Sequence, residues 1–374
     1  MQIAVALLVF GLVILVHEFG HFIIARKNGV LVEEFAIGMG PKIFGIKRGE
    51  TLYTLRAIPM GGFCRMYGDD ADPMDKEDET LDHNALSDRA LNGKTVLQRI
   101  AVMAGGSLFN FAFAFILFIL MAFATGVNTT IISSVSADLP AQAAGIQEGD
   151  RITHLNGRRI FLWDDILLEM TLSQGEPITL GFTRDGMAQN VVITPASDGT
   201  RFLLGISSVP RSGFFTPAFA DFERVSLGEA ATDGFMRMGF MVRMVGTTLF
   251  RLVTSPGTVV DQLAGPVGIV NMMGGQYQAV VAAAGNLEIS TLMVILSVIL
   301  TMLNFAAIIS VNLGVMNLLP IPALDGGRIL FLIVEGIRRK PIPPERENII
   351  HLAGFVLLIA LMLLITYQDI LNLL

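Results

Sequence analysis

His17, Glu18 and His21 stand together in the run His17-Glu18-Phe19-Gly20-His21, and these residue types at this spacing can hold a divalent metal and use it. On a helix, positions i and i+4 share a face about one turn apart, so both imidazoles can reach one ion while the Glu18 carboxylate lies beside the first. A catalytic zinc lowers the pKa of water toward about 7, and a neighbouring carboxylate can then take the proton and pass it to a leaving amine. Taken alone the pattern also arises by chance. In a soluble protein, two histidines on a helix surface would be the plainer reading.

The surroundings reverse that preference. The motif lies inside an apolar run, residues 2–25, long enough to cross a bilayer. An acid at the centre of a spanning helix costs roughly 2.5–3.5 kcal/mol on insertion scales, and such groups almost always face a polar cavity or a partner. Binding a divalent ion is the simplest offset for three ionisable side chains so close together. Two imidazoles still leave a catalytic zinc one protein ligand short of the usual three. Asp325 is the candidate, because it follows the third long apolar run in NLLPIPALDGG, Asn317 to Gly327. Two prolines there stop a helix and two glycines permit a tight turn. A capping aspartate is the alternative reading, with Glu335 as the fallback third carboxylate. The other histidines fall in an acidic loop (His83), a segment of soluble type (His154) and the start of the last apolar run (His351).

Four runs are long and apolar enough to carry spanning helices: 2–25, 100–125, 289–319 and 347–368. With 52% hydrophobic and 16% charged residues and a mean hydropathy of +0.62, part of this 374-residue chain must be solvated by lipid. A net charge of -7 excludes nucleic acid as a partner. One cysteine, Cys64, excludes an internal disulfide and a thiolate-rich metal site. The N-terminus lacks the basic region and cleavage site of a secretory signal, so the first span is expected to be retained. Arg26, Lys27, Lys94, Arg99, Arg338, Arg339, Lys340 and Arg346 flank the spans on one side, which assigns that side to the cytoplasm and both termini to the outside.

Between the spans, residues 51–68 carry β-type patterning broken by Pro59 and Gly61-Gly62, which predicts a hairpin with a tight turn, apolar enough to dip into the bilayer. The acidic stretch Gly68 to Asp82 reads as a solvated loop. From 128 to 208 the composition becomes that of a small α+β domain, with strands at Thr130 to Val135, Arg151 to Leu155, Ile178 to Thr183 and Ala188 to Thr194, and a helix at Asp164 to Leu172. Residues 227–253 hold Asp233, Arg237, Arg243 and Arg251 and fit an amphipathic helix better than a fifth span. Gly265 to Ile269 and the small residues after it read as a connector.

In that order the motifs HEFGH and NLLPIPALDGG, with a domain inserted between the second and third spans, resemble the site-2 protease family of intramembrane zinc metalloproteases, of the bacterial regulator-of-sigma-factor type. The resemblance covers essentially the whole chain. It implies a mostly α membrane protein of four transmembrane helices, a membrane-re-entrant β-hairpin and one PDZ-like domain. The expected divisions are 1–127 (first membrane part), 128–208 (PDZ-like domain), 209–288 (amphipathic connector) and 289–374 (second membrane part). It implies Zn2+ on His17, His21 and Asp325, Glu18 as base, and Asn317, Asn110, Gly61 and Gly62 as contacts to the substrate. Pro140 to Ile152 and Leu155 to Gly157 resemble a circularly permuted bacterial PDZ, which points to Ala144, Gly145 and Ile146 as the captors of a peptide carboxylate. The implied reaction is regulated intramembrane proteolysis of single-span proteins, such as anti-sigma factors or remnant signal peptides, in a bacterial inner membrane with the active site toward the cytoplasm. From another class, a membrane zinc transporter or sensor would use the same ligands without needing Glu18.

Overall fold

The structure is a computed structural model that describes residues 2–69, 87–199, 202–214, 223–254, 265–286, 290–340 and 342–371. Most of the acidic stretch predicted as a loop, from Asp70 onward, lies outside the described residues. By the contacts between residues the chain divides into two compact units, Met1–Ala114 with Met241–Leu374, and Phe115–Phe240. The divisions fall inside two long helices, α2 (Val96–Thr125) and α4 (Leu227–Thr254).

The first unit is built on α1 (Gln2–Lys27), a near-continuous series of Ala, Val, Ile, Leu and Phe. Arg26 and Lys27 in its last turn complement the helix dipole, and Gly29 at φ +70° takes the left-handed turn that ends it. The start of α2, the end of α4, α5 (Pro266–Asn286), α6 (Thr291–Leu318), α7 (Asp325–Arg338) and α8 (Pro344–Leu371) complete its helices. Among the described residues four helices are long and apolar enough to cross a membrane: Ala4–Lys27, Val96–Thr125, Thr291–Leu318 and Glu345–Leu371. These match the four predicted runs. On α8, Leu352, Val356, Leu357, Leu363 and Leu364 all point away from the protein. So wide an apolar surface is unstable in water and ordinary in lipid. The region read as a connector is instead the helix α5, and it packs against α1, α6 and α8. The Asp369 carboxylate near the end of α8 accepts the Gly265 and Gly268 N–H groups at 3.2 and 2.8 Å, which anchors the start of α5.

The sheet of this unit corrects the expected hairpin. β1 (Val32–Arg48) and β2 (Thr51–Met66) pair antiparallel about a turn at Gly49-Glu50, in register from Arg48↔Thr51 to Lys42↔Arg56 and from Ile37↔Gly62 to Val32↔Met66. The two arms of 51–68 therefore do not pair with each other. Glu34–Ile37 inserts between them, flanked by Leu52–Leu55 on one side and Gly62–Arg65 on the other. Glu34 ties the three segments together: its buried carboxylate accepts bonds from Thr54 Oγ1 at 2.5 Å and Arg56 Nη2 at 2.7 Å and pairs with Arg65 at 3.3 Å. Burial raises the pKa of Glu34, but these partners outweigh it and hold the carboxyl below the usual range.

In the second unit the expected strands form a sheet in the order β7-β3-β4-β5-β6: β3 (Gly126–Val135), β4 (Arg151–Leu155), β5 (Ile178–Arg184), β6 (Met187–Ile193) and β7 (Ile206–Ser212). The helix α3 (Trp163–Ser173) belongs to the same unit, whose core contains Ile132, Ile152, Leu155, Ile166, Ile178, Leu180 and Phe182. The strand β7 had no counterpart among the sequence expectations, and it is an edge of the sheet.

Candidate metal centre

α1 carries His17 and His21 one turn apart, and both are buried. Their third companion arrives from α7. The long helix α6 ends where Leu319 and Pro320 cannot continue it, and the chain turns through Ala323 at φ +77°, a left-handed conformation rare for alanine. The N–H of Ala323 donates to His351 Nδ1 at 2.8 Å, so a histidine of α8 props the bend. Gly326 and Gly327 then press against the backbone of the bend, and a Cβ on Gly327 would meet Ile321 O at 2.5 Å. This close approach puts Asp325, the first residue of α7, against α1.

His17 Nε2, His21 Nε2 and Asp325 Oδ2 converge: the histidine nitrogens are 3.2 Å apart, and the carboxylate oxygen lies 3.1 Å from the first and 3.3 Å from the second. The edges of a tetrahedron with zinc–ligand bonds of about 2.0–2.1 Å are about 3.3–3.4 Å, so the triangle suits an ion of that size. Asp325 Oδ2 is buried, with the two histidine nitrogens as its close polar neighbours. Among the described residues this is the one group of three side chains spaced to hold a metal. Two imidazoles and a carboxylate form a donor set that fits zinc.

The helix α2 closes the other side. The carbonyl of Val102 lies 2.8 Å from His21 Nδ1, and the Asn110 amide lies 3.2 Å from His17 Nδ1. Between them, a Cβ on Gly106 would fall 2.5 Å from both His17 Cε1 and His21 Nε2. Gly106→Ala is therefore expected to push the rings apart, lowering the zinc content of purified protein and destabilising it by about 1–3 kcal/mol, as overpacked cores do. Zinc analysis beside a melting curve checks this, and a variant with full zinc content would contradict the packing.

Glu18 is half-buried, lies within electrostatic reach of all three residues and faces the backbone of Cys64. A Cβ on Gly62 would sit 3.9 Å from Glu18 Cγ, so the Gly62–Arg65 edge runs beside it. Asn317 is buried with its Nδ2 3.3 Å from His17 Nε2. Asn110 is also beside His17 and is fully buried. Glu335 is away from the cluster, paired with Arg99 at 3.1 Å.

In the expected carboxylate loop of the second unit the backbone is bonded internally. The N–H groups of Ala144, Gly145 and Ile146 already donate to Pro140 O, Gln142 O and Ala141 O, each at 3.0 Å. The turn is braced further by Arg184, which bonds Asp150 at 2.6 and 2.7 Å and Gly145 O at 2.9 Å. Burial alone would raise the pKa of Asp150, but Arg184 and the Gln147 N–H lower it.

The profile of peptidase family M50 matches residues 5–361. Over 371 residues, covering 99% of this chain and 98% of the other, the chain is 38% identical to a candidate zinc metalloprotease of Clostridium perfringens. It is 35% identical to another from Clostridium acetobutylicum over 371 residues, 99% of this chain and 97% of that one. It is 30% identical to zinc metalloprotease RasP of Geobacillus kaustophilus over 433 aligned positions, 97% of this chain and 96% of the relative.

Proposed function

We propose that this chain, which belongs to peptidase family M50, hydrolyses peptide bonds of single-span membrane proteins within or beside the bilayer. Membership makes it a zinc metalloendopeptidase, and its four apolar helices make it a multi-pass membrane protein, which sets the transporter alternative aside. The observation that carries the proposal is the 3.1–3.3 Å triangle of His17, His21 and Asp325 with Glu18 beside it.

In the proposed reaction His17 and His21 would hold the metal through Nε2, and Asp325 through Oδ2. Zinc held there would supply Lewis acidity to the scissile carbonyl and would lower the pKa of water toward neutrality. Glu18 takes the proton of the attacking water and returns it to the departing amine nitrogen. Asn317, with its amide nitrogen near His17 Nε2, donates to oxygen on the substrate backbone.

A transmembrane helix hides its carbonyls, so the substrate must unwind. The Gly61–Arg65 edge, which has no further strand beside it among the described residues, offers main-chain groups to an extended segment next to Glu18. Exposed Ile37, Met39, Ile43, Phe44 and Ile58 support placing this sheet in the bilayer as a re-entrant element. Lys94 close to Gly29, and Arg99 on Glu335, support one shared, cytoplasmic side for the basic ends of α1, α2 and α7. The second unit is read as a PDZ-like domain acting outside the inner membrane as a size filter.

The test uses purified protein in detergent with a single-span reporter carrying a short outer segment. Cleavage is expected, stopped by a zinc chelator and restored by added zinc, and slower when a folded domain is fused outside. Cleavage indifferent to the chelator, or no cleavage by zinc-loaded protein, would count against the proposal.

A further inference from the structure

Val102, Gly106 and Asn110 lie at i, i+4 and i+8 on α2, hence along one face of it. That face meets the His17–His21 face of α1. His21 Nδ1 has the Val102 carbonyl at 2.8 Å, and a carbonyl can only accept, so Nδ1 carries the proton and Nε2 offers its lone pair to the cluster.

His17 poses a conflict of valence. Its Nδ1 has Asn110 Nδ2 at 3.2 Å and its Nε2 has Asn317 Nδ2 at 3.3 Å, two amide donors facing the two nitrogens of one ring. A neutral imidazole has one acceptor nitrogen. Since Nε2 is the atom that converges with His21 and Asp325, Nδ1 must bear the hydrogen, and that hydrogen needs an acceptor. Asn110 Oδ1 is buried and has no partner among the described residues. Oxygen and nitrogen of an amide exchange places by a half-turn about the last side-chain bond.

We propose that Asn110 is a positioning residue whose amide oxygen accepts the His17 Nδ1 hydrogen and thereby fixes Nε2 as the face His17 presents to the metal. The placement supports it: Asn110 is fully buried, and Ser310 Oγ donates to its backbone carbonyl at 2.9 Å, so the residue is held from α6. Val102 and Asn110 then play the same part for the two histidines. This rests on the proposed role of His17 as a ligand.

The experiment compares Asn110→Asp and Asn110→Leu with the unaltered chain in detergent, reading zinc affinity by competition with a chromogenic chelator. Asp retains an acceptor at that place and Leu fills the volume without one. Asn110→Leu is expected to lose about 10–100-fold in affinity, and Asn110→Asp to stay within about threefold. Equal losses in the two variants, with unchanged melting of the zinc-free forms, would overturn the proposal, as would full affinity in Asn110→Leu. If either variant does not fold, nitrogen NMR of the ¹⁵N-histidine-labelled parent decides: a protonated His17 Nδ1 is expected, and a bare Nδ1 refutes the proposal. If the unaltered chain binds no zinc, the ligand assignment falls, and the same spectrum still decides the role of Asn110.

Discussion

Replacing Glu18 with glutamine is expected to leave the zinc content unchanged and to lower cleavage of the single-span reporter about 10²–10⁴-fold, the usual worth of a positioned general base. The two readouts separate because Glu18 is not one of the three converging atoms, so its removal leaves the triangle of His17, His21 and Asp325 whole. Glutamine has nearly the same volume, so the packing of the helix against the Gly62–Arg65 edge should survive. What it lacks is a basic oxygen to take a proton from water. Zinc analysis and a turnover assay on one preparation check both halves, and turnover close to that of the parent would remove Glu18 from the mechanism.

Asp325→Ala has the opposite signature, in that the metal itself should go. Zinc per chain is expected to fall from about one to near zero after dialysis, with cleavage falling by at least about a thousandfold, since a catalytic site normally needs three protein ligands. Alanine at a helix start is well tolerated by the backbone, and Gly326 and Gly327, which hold the bend close, are untouched. The melting curve of the zinc-free protein should therefore change little. A variant that keeps stoichiometric zinc would show that the carboxylate is not a ligand.

The proposed ligand group was legible because the penalty for an ionisable group in an apolar run is local information. His17, Glu18 and His21 announce themselves against the leucines and valines around them, and Asp325 follows two helix-stopping prolines. The same logic applied to His351, the lone histidine near the start of the last span, would have marked it as structural, and it is: it holds Ala323 in the bend. What the sequence hid was pairing at a distance. The patterning of Thr51 to Gly68 was read correctly as strand, but Glu34–Ile37, from the preceding segment, separates its arms because Glu34 finds Thr54, Arg56 and Arg65 there. The helix α5 was missed because its glycines and glutamines dilute the apolar signal, and it is packing on α1, α6 and α8 that accompanies the helix. The internal bonding of the Ala144 to Ile146 backbone is another feature that no composition reveals. Gly106 and Val102 act through the absence of a side chain and through a carbonyl, neither of which a motif can carry.

The proposed chemistry lies at one place, where α1, α2 and the start of α7 meet. X-ray absorption at the zinc edge of the purified, unaltered chain tests that most directly. The expected spectrum has nitrogen or oxygen donors at about 2.0–2.2 Å, with the scattering of two imidazole rings and no sulfur. A zinc signal with sulfur, with fewer than two imidazoles, or no zinc above background would contradict a metal held jointly by His17, His21 and Asp325.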